Sequence, residues 1–125
     1  MTGGTYNRCW DWGFIGLGIT DLDGLIERNG CFLVLEAKGP GVQMLRGQER
    51  ALRALAAIGR RFVVVVVEGH APSEVHSWSV MGHEHLGGTG FESLRKFVRE
   101  WFDWASLQSG LSAKAGRQSP DAAQV

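Results

Sequence analysis

The sequence has no long hydrophobic run. Its longest apolar stretch, Phe62 to Val67, falls far short of the ~18 residues a membrane-spanning helix requires. The opening MTGGTYNRCW lacks the basic-then-apolar pattern of a secretory signal, so a cytoplasmic protein without a membrane partner is expected. Cysteine is scarce. Cys9 and Cys31 are too few for a disulfide scaffold and too far apart for a CxxC metal knuckle. Net charge is absent as well, with 13 basic residues against 13 acidic ones, which argues against a protein that coats nucleic acid by bulk charge. A G-x-x-x-x-G-K-S/T loop, a nucleophile elbow and a dinucleotide fingerprint are all missing, so no nucleotide cofactor is expected. No repeat of 20–50 residues is found.

What is present is a chain of 125 residues, 44% of them hydrophobic, enough for one self-folding domain. Its 18 glycines are about twice the usual share of roughly 7% and follow no collagen-like period, so they read as turns and close approaches. The zero charge hides an uneven distribution. Residues 1–37 carry net −3, 38–61 net +5, 62–92 net −4 and 93–125 net +2. From Ser109 the chain turns small and polar without an apolar period. The expected organisation is therefore one domain over 1–108 with a disordered tail over 109–125.

The hydrophobic patterning predicts an α/β fold, a mixed central β-sheet flanked by helices. Ile19 to Arg28 alternates as a strand and ends at Asn29-Gly30, a hairpin-turn dipeptide. Cys31 to Ala37 is almost wholly apolar, as in a central strand buried on both faces, where Cys31 is a buried thiol. After Gly39-Pro40-Gly41 a helix is expected from Val42 to Ile58. Phe62 to Val67 is a second central strand and Glu74 to Met81 an edge strand. A turn at Gly87 to Gly90 then leads into a final helix over Phe91 to Leu107.

One residue breaks the apolar pattern. Glu36 closes the run CFLVLEA, and burying an unpaired carboxylate costs several kcal/mol even after relaxation. Lys38 lies two residues on and shares its face, while Asp21 and Asp23 share a face of the preceding strand. Counting outward from the Asn29-Gly30 turn pairs Asp23 with Glu36. Three carboxylates and one ammonium thus converge at one end of the hairpin. Carboxylates so close need a cation, and their oxygens suit Mg²⁺ or Mn²⁺. An ion pair that merely stabilises the sheet end is the alternative.

The stretch from Thr20-Asp21-Leu22-Asp23-Gly24 through Asn29-Gly30 to Leu35-Glu36-Ala37-Lys38 resembles the core of the PD-(D/E)XK nuclease superfamily. It has an aspartate, a hairpin turn, an apolar strand and then (D/E)-x-K. The Asp23 to Glu36 spacing is similar to that of archaeal Holliday-junction resolvases, and the Asp21 to Glu36 spacing to that of virus-type replication-repair nuclease domains. Either aspartate therefore suits the main ligand role, with Asp23 favoured by the hairpin count. Gln48 lies ten residues after Lys38 and is the one polar residue on the helix stripe of Leu45, Leu52 and Leu55. Several members of the superfamily carry a glutamine there.

The resemblance implies a restriction-endonuclease-like core and a metal-dependent endonuclease or exonuclease of DNA repair, recombination or restriction, of a kind a phage could encode. Asp23, Glu36 and the Ala37 carbonyl would hold Mg²⁺ or Mn²⁺, with Asp21 as an alternative ligand. Lys38 would assist the attacking water and Gln48 would orient the site. Two departures stand out: no proline precedes the aspartate, and no glutamate precedes Glu27, leaving Asp11 as the only acid upstream of the pair. A catalytically inactive module on the same fold, binding nucleic acid or protein, is the competing expectation.

DNA, branched DNA included, would meet the basic stripe of Arg46, Arg50 and Arg53. Arg60 and Arg61 are expected to cap that helix, Arg95, Lys96 and Arg99 to add charge from the last one, and the acidic 62–92 stretch to face elsewhere. Trp10 and Trp12 either stack on bases or pack on the sheet. Trp101 and Trp104 serve the core or a homodimer interface, and the resembling resolvases make a homodimer plausible. His83 and His85, one residue apart, form a candidate zinc pair without an evident third ligand.

Overall fold

A computed structural model describes residues 22–109 together with Gly16 and Thr20. Five strands form one sheet in the order β1-β2-β3-β4-β5: β1 Gly24–Arg28, β2 Cys31–Lys38, β3 Phe62–Gly69, β4 Val75–Val80 and β5 His83–Thr89. Helix α1, Arg46–Ala56, connects β2 to β3, and helix α2, Gly90–Ser106, follows β5. The β2–β3 pair is parallel and the other three pairs are antiparallel. This is the mixed α/β sheet with flanking helices that the patterning predicts.

The hairpin forms where expected. Asn29 and Gly30 both take positive φ, 53° and 78°, as a two-residue turn of this type requires. Gly24 pairs with Leu35 and Arg28 with Cys31, the register obtained by counting from the turn. The turn also docks on α2: Asn29 Nδ2 donates to the carbonyls of Ala105 and Ser106 at 3.2 and 3.1 Å, satisfying groups that a helix C-terminus leaves open.

Strand alternation divides the core between two faces. Cys31, Leu33, Val65, Val67, Trp78 and Val80 pack against Trp101 and Ala105 of α2, joined by Leu94, Phe97, Val98 and Phe102. The apolar spacing of the last helix is thus borne out. Trp101 is buried in the core and Trp104 packs at its edge. On the opposite face Val34, Val64 and Met81 pack against Leu52 of α1.

Three features differ from expectation. Helix α1 begins at Arg46 rather than Val42, because the Val42 carbonyl accepts a hydrogen bond from Lys38 Nζ and Leu45 keeps an extended backbone, φ −63° and ψ 143°. Leu45 is consequently 76% exposed and does not share the buried stripe of Leu52. Strand β4 is internal rather than an edge, since β5 pairs with it. Part of β5 reads as a glycine turn because Gly87 and Gly88 lie in the strand. A Cβ on Gly87 would overlap the Trp78 main-chain oxygen, so glycine here permits the close approach of two strands.

Gly87→Ala is therefore expected to separate β5 from β4, lowering stability by about 1–3 kcal/mol; chemical denaturation measures it. The expected strand from Ile19 is described only from Gly24 on. Asp11, Asp21, Cys9, Trp10, Trp12 and the 110–125 segment lie outside the described residues. No helix among the described residues is long and apolar enough to cross a membrane.

Candidate active site

Strands β2 and β3 run parallel, and Lys38 at the end of β2 pairs with Glu68, one residue before the end of β3. The carboxyl ends of parallel strands are where open α/β sheets bind ligands. Glu36 sits two residues before the end of β2, on the α1 face, and is only 5% exposed. Its neighbour in β3 is Val66, so the sheet offers it no polar partner. The helix offers one: Gln48 Nε2 donates to Glu36 Oε2. Oε1 is buried and has no hydrogen-bond partner among the described residues.

Asp23 immediately precedes β1. Its Oδ2 accepts the Ala37 N–H at 2.9 Å, which fastens the start of β1 to the end of β2 beside Glu36. Desolvation, and after it the Asp23 charge, raise the Glu36 carboxyl above its ordinary value, opposed by N–H groups of Asp23 and Gln48. A buried carboxylate with one open oxygen, facing a second carboxylate, has the donor chemistry of a hard-cation site. Asp23 and Glu36 are two oxygen-bearing side chains that could hold Mg²⁺ or Mn²⁺. Among the described residues no group of three or more His, Cys, Asp or Glu is arranged to hold a metal ion. A third ligand would have to be a main-chain oxygen, such as that of Ala37, or a residue outside this set, such as Asp21.

Lys38 shares the α1 face with Glu36 but does not reach toward the carboxylate pair. Its Nζ donates to the Val42 carbonyl and to Glu68 Oε2, each at 2.9 Å. Glu68 also accepts the Gly41 N–H at 3.1 Å and the Ser77 hydroxyl at 3.4 Å. The acidic stretch expected to face elsewhere is thus brought into the site at Glu68 and against α1 at Glu84, which accepts from Arg53 at 3.4 Å. The sequence signal for Glu68 is a carboxylate that follows the apolar run FVVVVV, as Glu36 follows CFLVL.

Two cavities flank this end of the sheet. One of about 430 Å³ lies on the α2 side and is rimmed by Asp23, Ala37, His70 and Phe91. The other, about 410 Å³, is lined by Lys38, Glu49, Arg53 and Glu84 on the α1 side.

The basic residues divide into two groups. Arg53 is held by Glu49 at 3.1 Å as well as by Glu84, whereas Arg46 and Arg50 are exposed. Arg60 and Arg61 do not cap α1. Arg60 lies over the Trp104 ring, and Arg61 donates to the Asn29 and Ser109 carbonyls. Arg95 and Lys96 face Glu92 and Glu100, and Arg99 lies over Phe102. The rings of His83 and His85 are edge-to-face with centroids 6.1 Å apart, and no described residue completes a zinc site with them.

No family model matches this chain, and no curated protein and no solved structure matches it.

Proposed function

We propose that the chain is a Mg²⁺- or Mn²⁺-dependent nuclease of the PD-(D/E)XK kind that hydrolyses phosphodiester bonds in DNA. The observation that carries this reading is Glu36: a buried carboxylate with one oxygen that has no partner among the described residues, set against Asp23 near the ends of two parallel strands. A purely structural acid at this position would be expected to have both oxygens satisfied.

Asp23, Glu36 and the Ala37 carbonyl would hold the cation, whose chemistry there would be to lower the pKa of a water and to polarise a phosphoryl oxygen. Gln48 fixes the rotamer of Glu36 through its amide. Lys38, whose ammonium is held by Glu68 at the end of β2, supplies positive charge for a phosphoryl group that approaches the strand ends. Arg46 and Arg50, at the N-terminal end of α1, supply phosphate contacts.

The test is a cleavage panel of linear, nicked, flapped and four-way DNA with Mg²⁺ or Mn²⁺, run beside Lys38→Ala. Wild type is expected to cut at least one substrate, and loss of the Lys38 charge to lower kcat by about 10²–10³-fold. A wild-type protein that cuts none of them, or a Lys38→Ala variant with full activity, sinks the proposal.

One observation favours a second reading, an inactive binding module on this fold: Lys38 is engaged by Glu68 rather than directed at the carboxylates. Calorimetric titration with Mn²⁺ separates the two. Binding that disappears in Glu36→Ala supports the enzyme, and no binding by wild type supports the module.

A further inference from the structure

Glu68 lies 30 residues beyond Lys38 and is its direct partner across the β2–β3 pair. Four groups converge on this carboxylate or on the lysine it holds. Glu68 Oε2 takes the Lys38 ammonium at 2.9 Å and the Gly41 N–H at 3.1 Å, while Glu68 Oε1 takes the Ser77 hydroxyl at 3.4 Å. The ammonium donates its second bond to the Val42 carbonyl at 2.9 Å. Gly41 and Val42 belong to the loop 39–45 that leads from Glu36 to the helix bearing Gln48. Glu68 therefore ties together the end of β2, that loop and β4.

An ammonium carries three N–H bonds, and two are committed here. The third remains for a ligand that approaches the strand ends. Lys38 has a flexible four-carbon stem that loses much rotamer entropy when ordered, so a fixed carboxylate determines where its charge lies.

We infer that Glu68 is the positioning residue of Lys38, holding its ammonium and the loop 39–45 as one unit beside Glu36 so that the remaining N–H meets a phosphoryl oxygen. This rests on the nuclease reading above. The Lys38 hydrogen bond, the Gly41 N–H and the Lys38 charge, in that order, keep the Glu68 carboxyl below its ordinary value, so it is the ionised form that holds the lysine at neutral pH.

The experiment compares wild type, Glu68→Ala, Lys38→Ala and the double variant, with Glu68→Gln as a nearly isosteric variant should the alanine form not fold. The chain has only three lysines, Lys38, Lys96 and Lys114, so reductive methylation followed by mass spectrometry reads Lys38 separately. Release of Lys38 is expected to speed its methylation severalfold, and loss of the Gly41 bond to speed exchange of that amide. Cleavage is expected to lose roughly 10²-fold in kcat, as for a misplaced catalytic group, with KM and Mn²⁺ affinity within about twofold. In the Lys38→Ala background, Glu68→Ala should cost no more than about twofold, because the two residues act as one unit.

An unchanged Lys38 methylation rate, or a full additive loss in the double variant, overturns the inference. If wild type cleaves no DNA, the nuclease reading fails, and the methylation and exchange rates alone decide whether Glu68 positions Lys38.

Discussion

Glu36→Gln is expected to abolish Mn²⁺ binding and DNA cleavage, by more than about 10³-fold in rate, while raising the stability of the metal-free protein. The two effects share one cause. Glu36 is 5% exposed, is paired among the described residues through only one oxygen and faces the Asp23 carboxylate, so the N–H groups near it compensate its charge only in part. Glutamine has the same shape, keeps an oxygen for the Gln48 amide, and adds an N–H that Asp23 can accept. Removing the buried charge should stabilise the metal-free fold by on the order of 1 kcal/mol, which raises Tm by about 4–8 °C in a domain of this size. Saturating Mn²⁺ reverses the ranking, since a ligand at a hundred times its Kd adds about 2.7 kcal/mol to wild type and nothing to the variant. Thermal melts in EDTA and in Mn²⁺ check both halves. A variant less stable than wild type in EDTA would make Glu36 a structural acid. One that still binds Mn²⁺ would remove Glu36 from the ligand set.

The same residue sets a pH dependence. The folded-state value of Glu36 is raised from 4.5, so between 4.5 and the raised value the folded protein binds more protons than the unfolded chain. Stability then falls as pH rises through that window. Below it, with Glu36 protonated in both states, the penalty vanishes. In EDTA, wild type should therefore match Glu36→Gln at low pH and drop progressively beneath it on the way to neutrality. A stability gap that does not change with pH would contradict this account.

How far the sequence revealed the fold and the site depended on whether the interactions were local. The Asn29-Gly30 turn and the strand after it are encoded by neighbouring residues, so the hairpin register and the meeting of Asp23 with Glu36 could be read directly. The polar interruption of the α1 stripe likewise placed Gln48 against the sheet. Glu68 was missed because its contact with Lys38 depends on the parallel pairing of β2 with β3, which no turn between them specifies. Strand β5 was missed because its glycines serve backbone approach to β4 and leave no apolar alternation to detect. The start of α1 was misplaced for a third reason. The carbonyl of Val42 is used by a lysine side chain, a competition that helix propensity does not register.

Leu52→Ala is expected to lower stability by about 2–5 kcal/mol, the usual cost of truncating a fully buried leucine, and to weaken the candidate metal site without touching it. Leu52 is 1% exposed and is the one fully buried residue of α1, seated against Val34, Val64 and Met81. The rest of the helix is half-buried or exposed, so this side chain supplies much of what holds α1 to the sheet. Gln48 lies one turn earlier on the same face and reaches Glu36 only while that contact persists. A loss of this size is a large part of the ~5–15 kcal/mol that a domain has in total and should lower Tm by roughly 10–30 °C. If Mn²⁺ binds the folded state alone, as the proposed function requires, saturating metal should restore part of the loss in Leu52→Ala. No restoration is expected in the Glu36→Gln/Leu52→Ala double variant. Equal recovery in the two proteins would show that Mn²⁺ stabilises the chain somewhere other than at Glu36, separating the packing of α1 from the chemistry assigned to the strand ends.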